Sequence, residues 1–217
     1  MTSERPKEAS KRELGHRLTL VTALFGLLLI VPLAFSQLRP RVVADAVGPA
    51  PLAFGDPASP TRVVAFVSPT CSHCAAFELG PGKDLYARAE AGGFYYAVYP
   101  LALERGREVD TRAFFCAFKQ GKLPAFSARH YLTYRFAWRP APLALARRSG
   151  ADPAAFGRCL DAPRTARRAR AALEWKDELG VVATPTFFIK RAGADAYTRV
   201  HGDQGAAFWA RVLKDER

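Results

Sequence analysis

The sequence predicts an α/β domain with an inserted helical block, preceded by one apolar helix near the N-terminus. Three observations lead there. An apolar, β-branched run, Val63–Val67, is followed by Cys71-Ser72-His73-Cys74, where a helix opens. A strand-like run, Thr186–Ile189, returns only after a long stretch of helical periodicity. Eighteen residues from Leu18 to Phe35 carry no charge.

With 217 residues, 49% of them hydrophobic, the chain is long enough for one sizeable core, or one core with a subdomain attached. Internal repeats and low-complexity tracts are absent from the sequence. The formal net charge of +12 comes from arginines scattered among Ala and Pro, with one denser group at Arg164, Arg167, Arg168 and Arg170. That group reads as a solvated helix face. No nucleic-acid-binding motif accompanies it, so a nucleic-acid partner is not expected.

Residues 1–17 are polar and basic, with Arg5, Lys7, Lys11, Arg12 and Arg17. As a helix, Leu18–Phe35 is about 27 Å long, close to the roughly 30 Å of a bilayer core. It has no polar face, which argues against a buried core helix. Two readings remain. A cleaved signal peptide would use the small residues near Ser36, but the apolar run exceeds the usual signal core of about 7–15 residues. The favoured reading is a single-pass anchor over 18–35 within a segment 1–36, with the basic end cytoplasmic and the rest outside. No cysteine adjoins the run, which excludes a lipoprotein anchor. Residues 37–50, with Pro40 and Pro49, read as a linker, and the folded domain is expected over 51–217.

Leu52-Ala53-Phe54 reads as a first edge strand, closed by turn chemistry in Gly55-Asp56-Pro57-Ala58-Ser59-Pro60. Arg62–Val67 is a continuous apolar run of buried-strand type. The helix opened at the cysteines is expected to break at Gly80-Pro81-Gly82, and Phe94–Tyr99 forms the next strand, parallel to the previous one. Helices follow: one capped by Asp110 and ended by Gly121, one over 124–136, one around 143–148, one from Asp152-Pro153, and one from Pro163 to Gly180. Strands at 186–189 and 197–200 and a last amphipathic helix with Phe208, Trp209, Val212 and Leu213 complete the chain.

Two thiols with two residues between them, on the first turn of a helix, suit reversible disulfide chemistry, because the helix N-terminus favours a negative sulfur. Structural zinc would need four ligands, normally as two such pairs. The remaining cysteines, Cys116 and Cys159, stand alone, 43 positions apart. Haem attachment would need a His directly after the second Cys, where Ala75 stands. His73, between the cysteines, sits where an imidazole can stabilise a Cys71 thiolate. A metal-binding module remains a different class of reading, and would require His130 or His201 to approach Cys71 and Cys74. No resident metal or cofactor is expected.

Val63–Cys74 with its preceding turn, together with Thr184-Pro185-Thr186-Phe187-Phe188-Ile189, resembles the DsbA-like thiol–disulfide oxidoreductases of the thioredoxin superfamily, over about residues 51–217. Cys74 and Pro185 are 111 positions apart, which leaves room for the helical insertion of that branch, about 102–180. The resemblance implies a thioredoxin-like fold, an attacking Cys71, a resolving Cys74 and a cis bond between Thr184 and Pro185 beside the sulfurs, where a substrate strand pairs. It implies exported thiol- or disulfide-containing proteins as substrates, and a membrane redox partner. An extracytoplasmic, inner-membrane-anchored enzyme follows as the expectation, or a soluble periplasmic one after cleavage near Ser36. Ser72 departs from the proline common between these cysteines, and Thr184 is similar to the isomerase members rather than to the oxidases. A thiolate stabilised by His73 and the helix favours the reduced form and so the oxidase direction; a reductase or isomerase is the alternative. Cys116 and Cys159 are either two buried free thiols or, in an oxidising compartment, a structural disulfide between the first and fourth inserted helices, as in some DsbA-like relatives.

Overall fold

The computed structural model describes residues 42–43, 45–136 and 141–214. The leader and apolar run over 1–36 lie outside them, and among the described residues no helix is long and apolar enough to cross a membrane.

The strands are β1 (Val42–Val43), β2 (Leu52–Phe54), β3 (Arg62–Val67), β4 (Tyr95–Pro100), β5 (Thr186–Lys190) and β6 (Tyr197–His201). The helices are α1 (Ser72–Leu79), α2 (Gly82–Glu90), α3 (Glu108–Lys119), α4 (Leu123–Phe136), α5 (Pro142–Arg148), α6 (Pro153–Asp161), α7 (Pro163–Glu178) and α8 (Gly205–Val212). The sheet order is β1-β6-β5-β3-β4-β2. β3 and β4 are parallel, as the intervening helices require, and the other pairs are antiparallel. β3 lies near the centre with Val63–Val67 buried, which explains an apolar run without alternation. Helices α3 to α7 form the insertion between β4 and β5 and share one hydrophobic core with the sheet.

Local signals act where the sequence placed them. Gly80 ends α1 by donating its N–H to the carbonyls of Ala76 and Phe77, and Pro81 stands just before α2 with helical φ and ψ. Gly121 follows α3 at φ +65°, where the Lys122 amide bonds the Ala117 carbonyl at 2.9 Å. Asp152 caps α6, its Oδ1 accepting the Ala155 amide at 2.6 Å. Cys116 on α3 and Cys159 on α6 are disulfide-bonded with Cα atoms 5.7 Å apart, inside the range a bridge spans. Of the two readings left open for these thiols, the bonded one holds.

Two expectations need correction. Asp110 does not cap α3. The cap position belongs to Arg107, and Asp110, buried in the first turn, pairs with the Arg107 Nε at 2.9 Å. Nor is 37–50 a linker throughout. Val42 and Val43 pair with Thr198 and Tyr197, and Ala46 is fully buried. The Trp175 indole donates to the Ala46 carbonyl at 3.0 Å, and the Tyr99 hydroxyl is hydrogen-bonded to both the amide and the carbonyl of Gly48 at 2.9 Å. β1 and β2 sit at opposite edges of the sheet. Six strands at about 4.8 Å spacing make that distance about 24 Å, within the roughly 30 Å that the chain from Val43 to Leu52 can reach. The segment is a strap across the domain, and its Pro and small residues hid that role because its bonds are made by its backbone to distant side chains.

Candidate active site

The site is built where β3 runs out. After Val67 the chain turns through Ser68-Pro69-Thr70, the Cys71 amide bonding the Ser68 carbonyl at 3.1 Å. Cys71 then caps α1 with an extended backbone (φ −93°, ψ 124°), its sulfur accepting the Cys74 amide at 3.3 Å. The cap position is normally held by an oxygen side chain; a sulfur there becomes a better acceptor once ionised. Cys74 is wholly buried, its sulfur accepting the Ser68 amide at 3.4 Å. Both cysteines are free thiols, so this is the reduced state.

Two neighbours on α4 hold the turn from the insertion side. Tyr131 donates its hydroxyl to the Ser68 carbonyl at 3.0 Å, and His130 Nε2 lies 3.0 Å from the Pro69 carbonyl. A carbonyl only accepts, so Nε2 carries the proton, and burial holds the ring neutral by lowering its pKa to about 4. From the other side comes Thr184, joined to Pro185 by the cis bond the resemblance implies. The neutral Cys71 thiol donates to the Thr184 carbonyl at 3.2 Å, while interaction with the Thr184 side chain lowers the pKa of both sulfurs.

The two thiols are electrically unequal. Cys71 is lowered from 9.0 to about 5, first by its hydrogen bond with the Cys74 thiol, then by Thr184 and by the amides of Cys74 and His73, against the opposing effect of burial. Cys74 is pushed well up, first by burial and then by its hydrogen bond to Cys71 and the charge Cys71 carries. His73 contributes through its backbone N–H, whereas the exposed imidazole expected to do so is not among the causes. Ser72 is exposed as well.

Sequence reading missed Glu78. It stands one turn beyond Cys74 on the same face of α1, 2% exposed, where the Ser127 hydroxyl donates to it at 2.7 Å and the Tyr86 hydroxyl at 3.3 Å. Burial raises its carboxyl to about 7. The available signal was a lone carboxylate in the apolar stretch Cys74–Leu79. The sequence points to His130 and His201 only as possible metal ligands; His130 instead bonds the Pro69 carbonyl, and His201 the Thr186 hydroxyl. Among the described residues no group of three or more His, Cys, Asp or Glu is placed to hold a metal ion.

A sequence model described as Thioredoxin matches residues 48–201. The chain belongs to the thioredoxin family. Within it, the fold is that of the DsbA proteins. Wolbachia pipientis alpha-DsbA1 is 21% identical with a TM-score of 0.63, over 78% of this chain and 92% of that one. Chlamydia trachomatis DsbA is 18% identical with a TM-score of 0.61, over 81% and 96%. Oxidised BdbD from Bacillus subtilis is 13% identical with a TM-score of 0.59, over 77% and 92%. No curated protein sequence matches the chain. In this thioredoxin-family member the paired, unequal thiols at a helix N-terminus make the site that of a protein disulfide oxidoreductase.

Proposed function

We propose that this protein disulfide oxidoreductase works as an oxidase on exported proteins, with Cys71 as the exchanging sulfur and Cys74 as the resolving one. The observation that carries the direction is the Cys71 thiol held near 5 in the reduced state. A stabilised thiolate favours the dithiol form, which makes the Cys71–Cys74 disulfide a strong oxidant. A substrate thiolate attacks Cys71 of that disulfide. The bond to Cys74 breaks, and the electron pair leaves on the Cys74 sulfur, which burial drives to take up a proton. Glu78, carrying a proton up to about pH 7, is the candidate to pass it on. A second substrate thiolate attacks the substrate sulfur of the mixed disulfide, and Cys71 leaves as a thiolate. The substrate loses two electrons and two protons, and the enzyme is left as the dithiol described above. The loop at Thr184, half-buried beside the Cys71 sulfur, is the place where a substrate strand docks.

The extracytoplasmic setting is part of the same proposal. It is supported by the apolar run over 18–35 behind a basic leader, and by the Cys116–Cys159 bridge, a kind of bond that persists in oxidising compartments. A disulfide-donating membrane partner would restore the oxidised site. The reductase or isomerase reading retains one supporting feature, Thr184 before Pro185.

The test is disulfide formation in a reduced, unfolded multi-cysteine protein by stoichiometric oxidised enzyme, with Cys74→Ser as the trap. Stoichiometric transfer, and accumulation of a mixed disulfide through Cys71 in the trap variant, are expected. Reduction of substrate disulfides by the dithiol form in preference to transfer would reverse the direction.

A further inference from the structure

Thr184 and Pro185 owe their position to the strand beyond them. Thr186, the first residue of β5, donates its hydroxyl to the Ala183 carbonyl at 2.7 Å. The same oxygen lies 3.0 Å from Nδ1 of His201, its cross-strand partner on β6. The next amide, Gly202, donates to the Pro185 carbonyl at 2.8 Å. The end of β6 therefore holds Pro185 directly and Ala183 through the Thr186 hydroxyl, the two residues flanking Thr184, whose carbonyl meets Cys71.

Proton counting decides what His201 does. A hydroxyl has one proton, and a carbonyl has none to give. At 2.7 Å the Thr186 proton must lie on the line to Ala183. Thr186 Oγ1 can then only accept from the imidazole, so His201 Nδ1 must carry a hydrogen in the neutral ring as well as in the charged one. The residue is largely exposed; the slight burial it does have, together with the nearby Arg199 guanidinium, lowers its pKa, so the neutral form prevails at alkaline pH.

We infer that His201 is a positioning residue for the reaction: its Nδ1–H, through the Thr186 hydroxyl, holds the Ala183–Pro185 loop that presents Thr184 to Cys71 and to an incoming substrate strand. The inference rests on the thiol–disulfide exchange proposed above. Its charge is incidental; what it supplies is a donor at one point in space. Asparagine offers an Nδ2–H close to where Nδ1–H stands, and alanine offers none.

Two measurements test this. The first needs no activity: the long-range proton–nitrogen spectrum of the ring in the whole protein at alkaline pH. A protonated Nδ1 with a bare Nε2 is expected, and the Nε2–H tautomer would overturn the proposal. The second is turnover of a dithiol peptide with oxidised glutathione as oxidant. For His201→Ala a KM raised about three- to tenfold, the worth of one net hydrogen bond, is expected with kcat within about twofold. His201→Asn should restore KM, and adding Thr186→Val to His201→Ala should raise it no further, because the two act as one unit. An unchanged KM in His201→Ala, or an Asn variant as poor as the Ala variant, contradicts the proposal. A wild-type protein that fails to oxidise the peptide contradicts the oxidase reading instead, while the ring spectrum still decides the role of His201.

Discussion

Cys71 and Glu78 make opposite contributions to stability as pH changes, and both signs follow from their pKa directions. Cys71 is depressed from 9.0 to about 5, so it stabilises the reduced fold fully above about 9 and loses that contribution as pH falls through about 5. Glu78 is raised from 4.5 to about 7, so the fold keeps its full contribution below about 4.5 and loses it as pH rises through about 7. In the oxidised protein, where Cys71 does not titrate, Glu78→Gln is therefore expected to flatten a decline in melting temperature between about pH 4.5 and 7; an unaltered profile would show that Glu78 does not titrate there. For Cys71 the check is redox chemistry against pH. With one thiol ionised and one protonated, the couple takes up one proton per two electrons, so the reduction potential should fall by about 30 mV per pH unit between about pH 5 and 9, and about twice as steeply below that. A single slope of about 59 mV per unit across pH 5–8 would place the thiol near its ordinary value. The cysteine spacing and the β-branched run before it made this pair legible in the sequence. The partner that shares its burial was not, because a Glu on a helix is ordinarily solvated and only tertiary packing of α4 on α1 encloses Glu78.

At the scale of elements, the strands and helices fell close to where periodicity, Gly and Pro placed them, because those signals act through the local backbone. Asp152 and Gly121 worked as caps, while Asp110 pairs with Arg107 three residues before it, a local i,i+3 contact that competes with capping. The α3–α6 bridge closes 43 positions of chain. The chain-entropy account assigns about 4 kcal/mol to such a loop, so replacing both Cys116 and Cys159 by Ala should lower stability by about that much in denaturant titration, with the Cys71 titration unmoved. An unchanged midpoint would mean the bridge constrains nothing that matters. Helix α4 clamps the Ser68–Thr70 turn, and Tyr131→Phe should cost about 1 kcal/mol while speeding alkylation of Cys74, since the Ser68 turn covers that sulfur. No change in Cys74 protection would remove α4 from the account of the site.

For the domain as a whole, the strap from Val42 to Pro51 sets where the fold begins. A chain started at residue 42 should melt with the longer protein, whereas one started at residue 51 strips the Trp175 and Tyr99 donors of their partners and should melt many degrees lower. Equal melting of the two would return 42–50 to the status of a linker. The family and the fold were legible because two short motifs, the cysteine pair and Thr184-Pro185, are meaningful only when the chain brings them together across a helical insertion, and it does so at 3.2 Å from the Cys71 sulfur to the Thr184 carbonyl. The direction of electron flow rests on the depressed Cys71 thiol. It is tested most directly by the reduction potential of the Cys71–Cys74 couple, set against glutathione buffers at pH 7. A value near the oxidising end of the family scale, about −120 mV, is predicted. A value near about −270 mV, where thioredoxin reductants lie, would contradict the oxidase reading.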